Sequence, residues 1–163
     1  MKIFWSYARL DDMEPLRKVS NLRRAFEIVL SQVLGKNCEV YFDMLSLNWG
    51  VEWRTEIERL IKDADGFVPV VTPSYFNRRM CMFELQMAST EGKKILPVYF
   101  RTCKQFKSTF TEDGEEAEIN KELNQASLRL SRVQMMDFRK FRNASLDSRD
   151  VQDFLDRMAE DIS

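Results

Sequence analysis

The chain has no histidine among its 163 residues. This excludes a His-based catalytic triad, a histidine general base and histidine-ligated metal sites. Any chemistry must rest on carboxylates, hydroxyls, thiols, lysine or tyrosine. Cysteine is scarce and odd in number: Cys38, Cys81 and Cys103 lie far apart and lack the spacing of metal ligands. They read as free thiols of a reducing compartment. No G-x-G-x-x-G follows the first predicted strand, so a conventional dinucleotide-binding turn is not indicated. No apolar run approaches the roughly 20 residues that span a bilayer. The N-terminus "MKIFWSYARLDD" lacks the long apolar core and small-residue cleavage site of a signal peptide. A cytoplasmic protein with no membrane partner is expected. Among 25 basic and 26 acidic residues no basic run or stripe stands out, so direct nucleic-acid contact is not expected either.

What is present is the composition of one soluble globular domain, 44% hydrophobic and 31% charged. Apolar runs predict strands at "KIFWSYA" (2–8), "CEVYFD" (38–43), "GFVPVVT" (66–72), "KILPVYF" (94–100) and "RVQMMDF" (132–138). Pro69 is awkward inside the third, because it cannot donate a ladder hydrogen bond. Between them, Leu16, Val19, Leu22, Phe26, Val29, Leu30 and Val33 form a helical stripe, with Pro15 in its first turn and Gly35 as its C-cap. Trp53, Ile57, Leu60, Ile61 and Ala64 mark a second helix. A third runs from Pro73 or Arg79 to Ser89. Val151, Phe154, Leu155, Met158 and Ile162 mark the last, with Asp147 as its N-cap. Residues 101–131 read as a loop and a peripheral helix, with the acidic run at 112–118 as solvated surface. Strand and helix alternating about five times imply an open parallel sheet with helices on both faces.

In such sheets ligands bind beyond the carboxyl ends of the strands. The segments there are Ser6–Asp12, Asp43–Gly50, Thr72–Phe76 and the loop after Phe100. The helix following the third strand carries a misfit. In "RRMCMFELQMAS" (78–89), Met80, Cys81, Phe83, Leu85, Met87 and Ala88 fill one broad arc, and Glu84 falls in its middle. A carboxylate there is costly to bury unless something pairs with it or uses it. On the pattern alone, pairing with Arg9, Arg78 or Arg79 is the commoner explanation. Asp43 is read either as a loop cap or as part of a site, Trp53 as packing, and Trp49 as a loop residue open to a partner or ligand.

"IFWSYARLDD", "VYFDMLSLNWGVEWRTEIERLIKDAD", "FVPVVTPSYFNRRMCMFELQMA" and "KILPVYF" occur in that order over residues 2–100. Together they resemble TIR (Toll/interleukin receptor homology) domains, whose third block reads "fivvlSp.Y..S.WC..EL..a". The resemblance implies a single domain over 1–163 with a flavodoxin-like three-layer α/β fold. The ending "MAEDIS" is compatible with a domain belonging to a longer, multidomain chain. Enzymatic TIR domains cleave NAD+ with a glutamate on the third helix, and "MCMFEL" puts that residue at Glu84. Met80 stands where the pattern has tryptophan. The resemblance further implies a pocket walled by Tyr7, Ala8, Arg9, Asp43, Leu47, Gly50, Met80 and Cys81. NAD+ would be a substrate, with no retained cofactor and no metal.

The implied function is NAD+ hydrolysis, giving nicotinamide and ADP-ribose or a cyclic ADP-ribose isomer. It would be switched on by self-association through the BB loop (about residues 44–52) and neighbouring helices, in an immune or cell-death effector linked to a fused or partner sensor. The alternative is a non-catalytic TIR module that signals by TIR–TIR assembly. A phosphorelay receiver would use the acidic pair Asp11 and Asp12, but it needs an aspartate where the third strand ends in Thr72-Pro73.

Overall fold

The computed structural model describes residues 1–42, 53–104, 125–126 and 128–163. Chain order is β1 (Lys2–Ser6), a 3₁₀ turn (Arg9–Asp12), α1 (Lys18–Leu34), β2 (Glu39–Phe42), α2 (Trp53–Asp63), β3 (Gly66–Val71), α3 (Pro73–Phe76), α4 (Arg79–Thr90), β4 (Lys94–Ile95), β5 (Val98–Tyr99), β6 (Met136–Asp137) and α5 (Arg149–Ile162). All strand pairings are parallel, in the order β2-β1-β3-β5-β6, with β4 also paired to β3. The expected α/β architecture is therefore present, with helices on both faces.

Alternation along each strand divides the core in two. Ile3 and Trp5 of β1 join Val68 and Val70 of β3 beneath α1 and α5. Phe4 joins Phe67 and Val71 beneath α2, α3 and α4. The stripe of α1 buries Val19, Leu22, Phe26, Val29 and Leu30 but leaves Val33 exposed near its end, and the stripe of α5 buries Val151, Phe154, Leu155, Met158 and Ile162. Gly35 ends α1 at φ 61°, a left-handed conformation that glycine adopts without steric cost.

Several boundaries differ from the sequence reading. α1 starts at Lys18, not at Pro15, and Leu16 is exposed before it. The first turn of α1 is capped from a distance: Asp12 accepts the Ser20 backbone N–H at 2.9 Å, along with the Ser20 hydroxyl. Of the two starts expected for the third helix, Arg79 is that of α4, and Pro73 begins a separate short helix, α3, joined to it through Asn77 and Arg78. Ser148, not Asp147, occupies the N-cap of α5. The stretch 94–100 is two short strands separated at Leu96–Pro97.

That break resolves the awkward proline. Phe67 O accepts from Leu96 N and Val71 O accepts from Phe100 N, so odd-numbered residues of β3 face β4 and β5. Pro69 shares that side, and its missing donor faces the gap between the two short strands. The acidic run 112–118 and Trp49 lie outside the described residues.

Candidate active site at the strand switch point

β1 connects through α1 to β2 on one side and, through α2, the chain reaches β3 on the other. This reversal opens a crevice at the carboxyl ends of β1 and β3. Ser6 ends β1 on the face that carries Phe4, and α4 packs against that face. The buried stripe of α4 is Cys81, Met82, Glu84, Leu85 and Ala88. Glu84 is 4% exposed, so the carboxylate is buried as its place in the pattern suggested. Met80, Phe83 and Met87 are only partly buried and Met82 is buried instead, so the buried arc is shifted toward Met82 and Glu84 lies at its edge, not in its middle.

Ser6 Oγ donates to Glu84 Oε2 at 2.5 Å. Ser6 Oγ also lies 3.1 Å from Tyr75 Oη, and Tyr75 Oη donates to the Cys81 carbonyl at 3.3 Å. Ser6 is 1% and Tyr75 0% exposed, so three polar groups satisfy one another inside an apolar face. Burial, followed by the nearby Cys81 and Glu84, pushes the Tyr75 phenol well above its usual pKa, so it remains a neutral hydroxyl.

Tyr75 is itself anchored. Thr72 is the N-cap of α3, and its Oγ1 accepts the Tyr75 N–H at 3.0 Å. The Thr72 hydroxyl donates to Asp11 Oδ2 at 2.5 Å, and Arg101 Nε lies 3.9 Å from Asp11 Oδ1. Thr72→Ala removes the cap and leaves Asp11 short of a donor. We expect a loss of about 2 kcal/mol in chemical denaturation. Thr72→Ser should retain most of that stability, and equal losses from both substitutions would contradict the capping role.

Burial raises the Asp11 carboxyl above its ordinary 3.8, against the lowering by Thr72, Arg101 and Ser74. Native Asp11 then holds its proton more tightly than the unfolded chain does. Its stabilising contribution is complete below pH 3.8 and is lost as pH rises through the native value. Asp11→Asn should therefore gain stability relative to wild type as pH rises through that window. Thermal melts of both proteins at successive pH values check this, and a pH-independent difference would refute it. Asp11 and Asp12 are thus structural bonding partners, of Thr72 and Ser20 respectively, which accounts for both acids of the receiver-like pair.

The remaining candidates are distributed unevenly. Ala8 is 2% exposed and lies in the same core as Cys81 and Leu85, the neighbours of Glu84 on α4. Cys81 is 3% exposed and contributes its carbonyl. Met80 lies one helical turn before Glu84 and is half-buried. Tyr7 packs partly buried against the α1–α5 core, on the opposite face of the sheet. Arg9 is exposed at the start of the 3₁₀ turn, and Arg78 and Arg79 are exposed at the start of α4. Asp43, Leu47 and Gly50, with the rest of the 44–52 segment, lie outside the described residues. All three cysteines are buried and none is in a disulfide. Burial, with the negative Asp11 nearby, pushes the Cys103 thiol up to about 12, so it is not a thiolate nucleophile at neutral pH. Among the described residues, no cluster of three or more acidic or thiol groups is arranged to hold a metal ion, and no helix is long and apolar enough to cross a membrane.

Ser6, Thr72 and Tyr75 fall in the segments expected at the strand ends but were not picked out individually as site residues. The available signals were a hydroxyl alternating with Phe4 at the end of a buried strand, and a Thr-Pro-Ser-Tyr stretch opening a helix.

These features define an open, doubly wound α/β domain with a buried, hydrogen-bonded carboxylate at its switch point. The chain belongs to the TIR domain family, whose sequence model matches residues 3–155. It is similar in fold to the TIR domains of the activated Roq1 resistosome directly recognizing the pathogen effector XopQ. The TM-score is 0.64 over 99% of each chain at 16% identity. No curated protein matches the chain.

Proposed function

We propose that the chain cleaves the nicotinamide–ribose bond of NAD+, with Glu84 as the catalytic carboxylate. The observation that carries this reading is the Glu84 carboxylate held 2.5 Å from Ser6 Oγ at the switch point of the sheet. The leaving group is a pyridinium. As the C–N bond breaks, its electron pair neutralises the ring, and no general acid is needed, unlike in ordinary glycoside hydrolysis. Positive charge develops on the ribose, and a fixed carboxylate stabilises it in a site of low dielectric. Water then attacks the ribose carbon and releases a proton, giving ADP-ribose. Attack by a nitrogen of the same molecule's adenine gives a cyclic isomer instead.

Ala8, Met80 and Cys81 would wall the substrate beside Glu84. Arg9 would approach the phosphates, and Asp43, Leu47 and Gly50 would complete the pocket, with Tyr7 left out because it faces the other side of the sheet. At 4% exposure, Glu84 meets substrate only after a neighbour moves aside. That suits a site opened by self-association through the segment about 44–52, in an immune or cell-death effector. The same burial favours the second reading, a non-catalytic module that signals by TIR–TIR assembly.

Nicotinamide release from NAD+ by the wild-type protein, at high concentration or with a crowding agent, separates the two. Turnover that rises faster than protein concentration supports the enzyme. No turnover by protein shown to be assembled overturns it.

A further inference from the structure

We infer that Tyr75 is a positioning residue for Glu84, acting through the Ser6 hydroxyl; its catalytic consequence rests on the NAD+-cleaving reading. A serine hydroxyl has one hydrogen. Ser6 directs it to Glu84 Oε2 at 2.5 Å, so in the 3.1 Å contact with Tyr75, where either oxygen is placed to donate, we assign the phenol as donor to Ser6 Oγ. The same phenol hydrogen is shared with the Cys81 carbonyl at 3.3 Å. The donation therefore runs from Tyr75 to Ser6 to Glu84, and each donor in such a chain polarises the next.

Tyr75 occupies the acceptor side of Ser6 and leaves its hydrogen one direction to point. At 1%, 0% and 4% exposure for Ser6, Tyr75 and Glu84, solvent has little access to replace any link. The phenol is held at its other end, because the Tyr75 backbone is bound to the Thr72 cap. A carboxylate oriented this way presents its charge in the same place at each turnover. Tyr75 touches no reacting atom. It acts on where Glu84 points.

The test is a double-substitution cycle on the full chain under assembling conditions, reading kcat and KM for nicotinamide release. Tyr75→Phe should lower kcat about 10-fold with KM nearly unchanged, the size expected for one hydrogen bond in a chain ending on a charge. Ser6→Ala should lower kcat further. The double variant should lie close to Ser6→Ala alone, because the hydrogen-bonded route from Tyr75 to Glu84 runs through Ser6. Losses that multiply, or an effect confined to KM, overturn the inference.

A readout independent of turnover is the carboxyl carbon chemical shift of Glu84 at pH 7. It should move in each single variant and no further in the double. If wild type does not cleave NAD+ yet the shifts show this coupling, the reaction is wrong and the positioning stands. Additive shifts, or none, overturn the positioning whatever the activity. Should Tyr75→Phe not fold, 3-fluorotyrosine at position 75, a stronger donor of nearly the same size, should move the carbon oppositely to Ser6→Ala. No movement overturns the inference.

Discussion

Glu84→Gln is expected to lower nicotinamide release on the order of 10³-fold, which corresponds to about 4 kcal/mol of transition-state stabilisation. The substitution keeps the side chain's shape and one acceptor oxygen for the Ser6 hydroxyl, but removes the negative charge. The charge is what a departing pyridinium requires, since positive charge on the ribose is the main new feature of the transition state. Stability should move the other way or not at all. Glu84 is 4% exposed, and burying an ionised carboxylate is costly even with a good donor. An amide relieves that cost, while its own N–H₂ group needs an acceptor. We expect unfolding free energy to stay within about 1 kcal/mol of wild type, the usual sign of a residue kept for activity. Denaturant titration beside the nicotinamide assay measures both. A variant that loses its fold together with its activity would make Glu84 a structural carboxylate.

The second large effect is expected far from this site, at Glu27→Ala on α1. Among the described residues β2 is an edge strand, paired with β1 alone and with no strand beside its outward backbone groups. Three α1 side chains spaced four apart take that place. Arg23 Nη1 donates to Val40 O at 2.9 Å, Glu27 Oε1 accepts from Val40 N at 3.0 Å, and Ser31 Oγ accepts from Cys38 N at 3.1 Å. Glu27 Oε2 also pairs with Arg23 Nη1 at 2.9 Å, and Arg23 lies 4.7 Å from the centre of the Phe42 ring.

Removing the Glu27 carboxylate leaves Arg23, which is 8% exposed, without its charge partner and Val40 N without an acceptor. One-third exposure of the Glu27 side chain lets water compensate in part. The expected loss is about 3 kcal/mol by urea denaturation. The opened edge should also make the protein aggregate at lower temperature. A loss under about 0.5 kcal/mol, the size of an exposed ion pair, would mean that the ladder does not hold β2.

Much of the fold was legible because local periodicity reports burial. The stripes of α1 and α5, and the apolar runs of β1, β2 and β3, were read from spacing alone, and most of their residues line the two cores, with Leu16, Val33 and Phe42 exposed. Boundaries set by long-range contacts were not legible. The start of α1 at Lys18 is fixed by Asp12 reaching Ser20, eight residues away in sequence. The place of Pro69 depends on a gap between two strands that lie nearly thirty residues further along. Nothing within the local window of either residue carries that information.

The candidate site divides along the same line. Helical spacing alone places Glu84 where a carboxylate is costly, and that much needed no coordinates. Groups that help make its burial tolerable lie 78 residues away in Ser6 and, through Ser6, 69 residues from there in Tyr75. Tyr7 shows the opposite case: adjacent to Ser6 in sequence, it faces the other side of the sheet, because successive strand residues alternate. The sequence by itself determined the alternation of strands and helices, the absence of histidine chemistry and the anomalous position of Glu84. Each of these depends on composition or on neighbours a few residues apart. Only the tertiary structure decided which hydroxyl meets that carboxylate and which side chains close the sheet edge. A hydrogen bond requires atoms within about 3 Å, and only the packing of α4 against β1, and of α1 against β2, sets those distances.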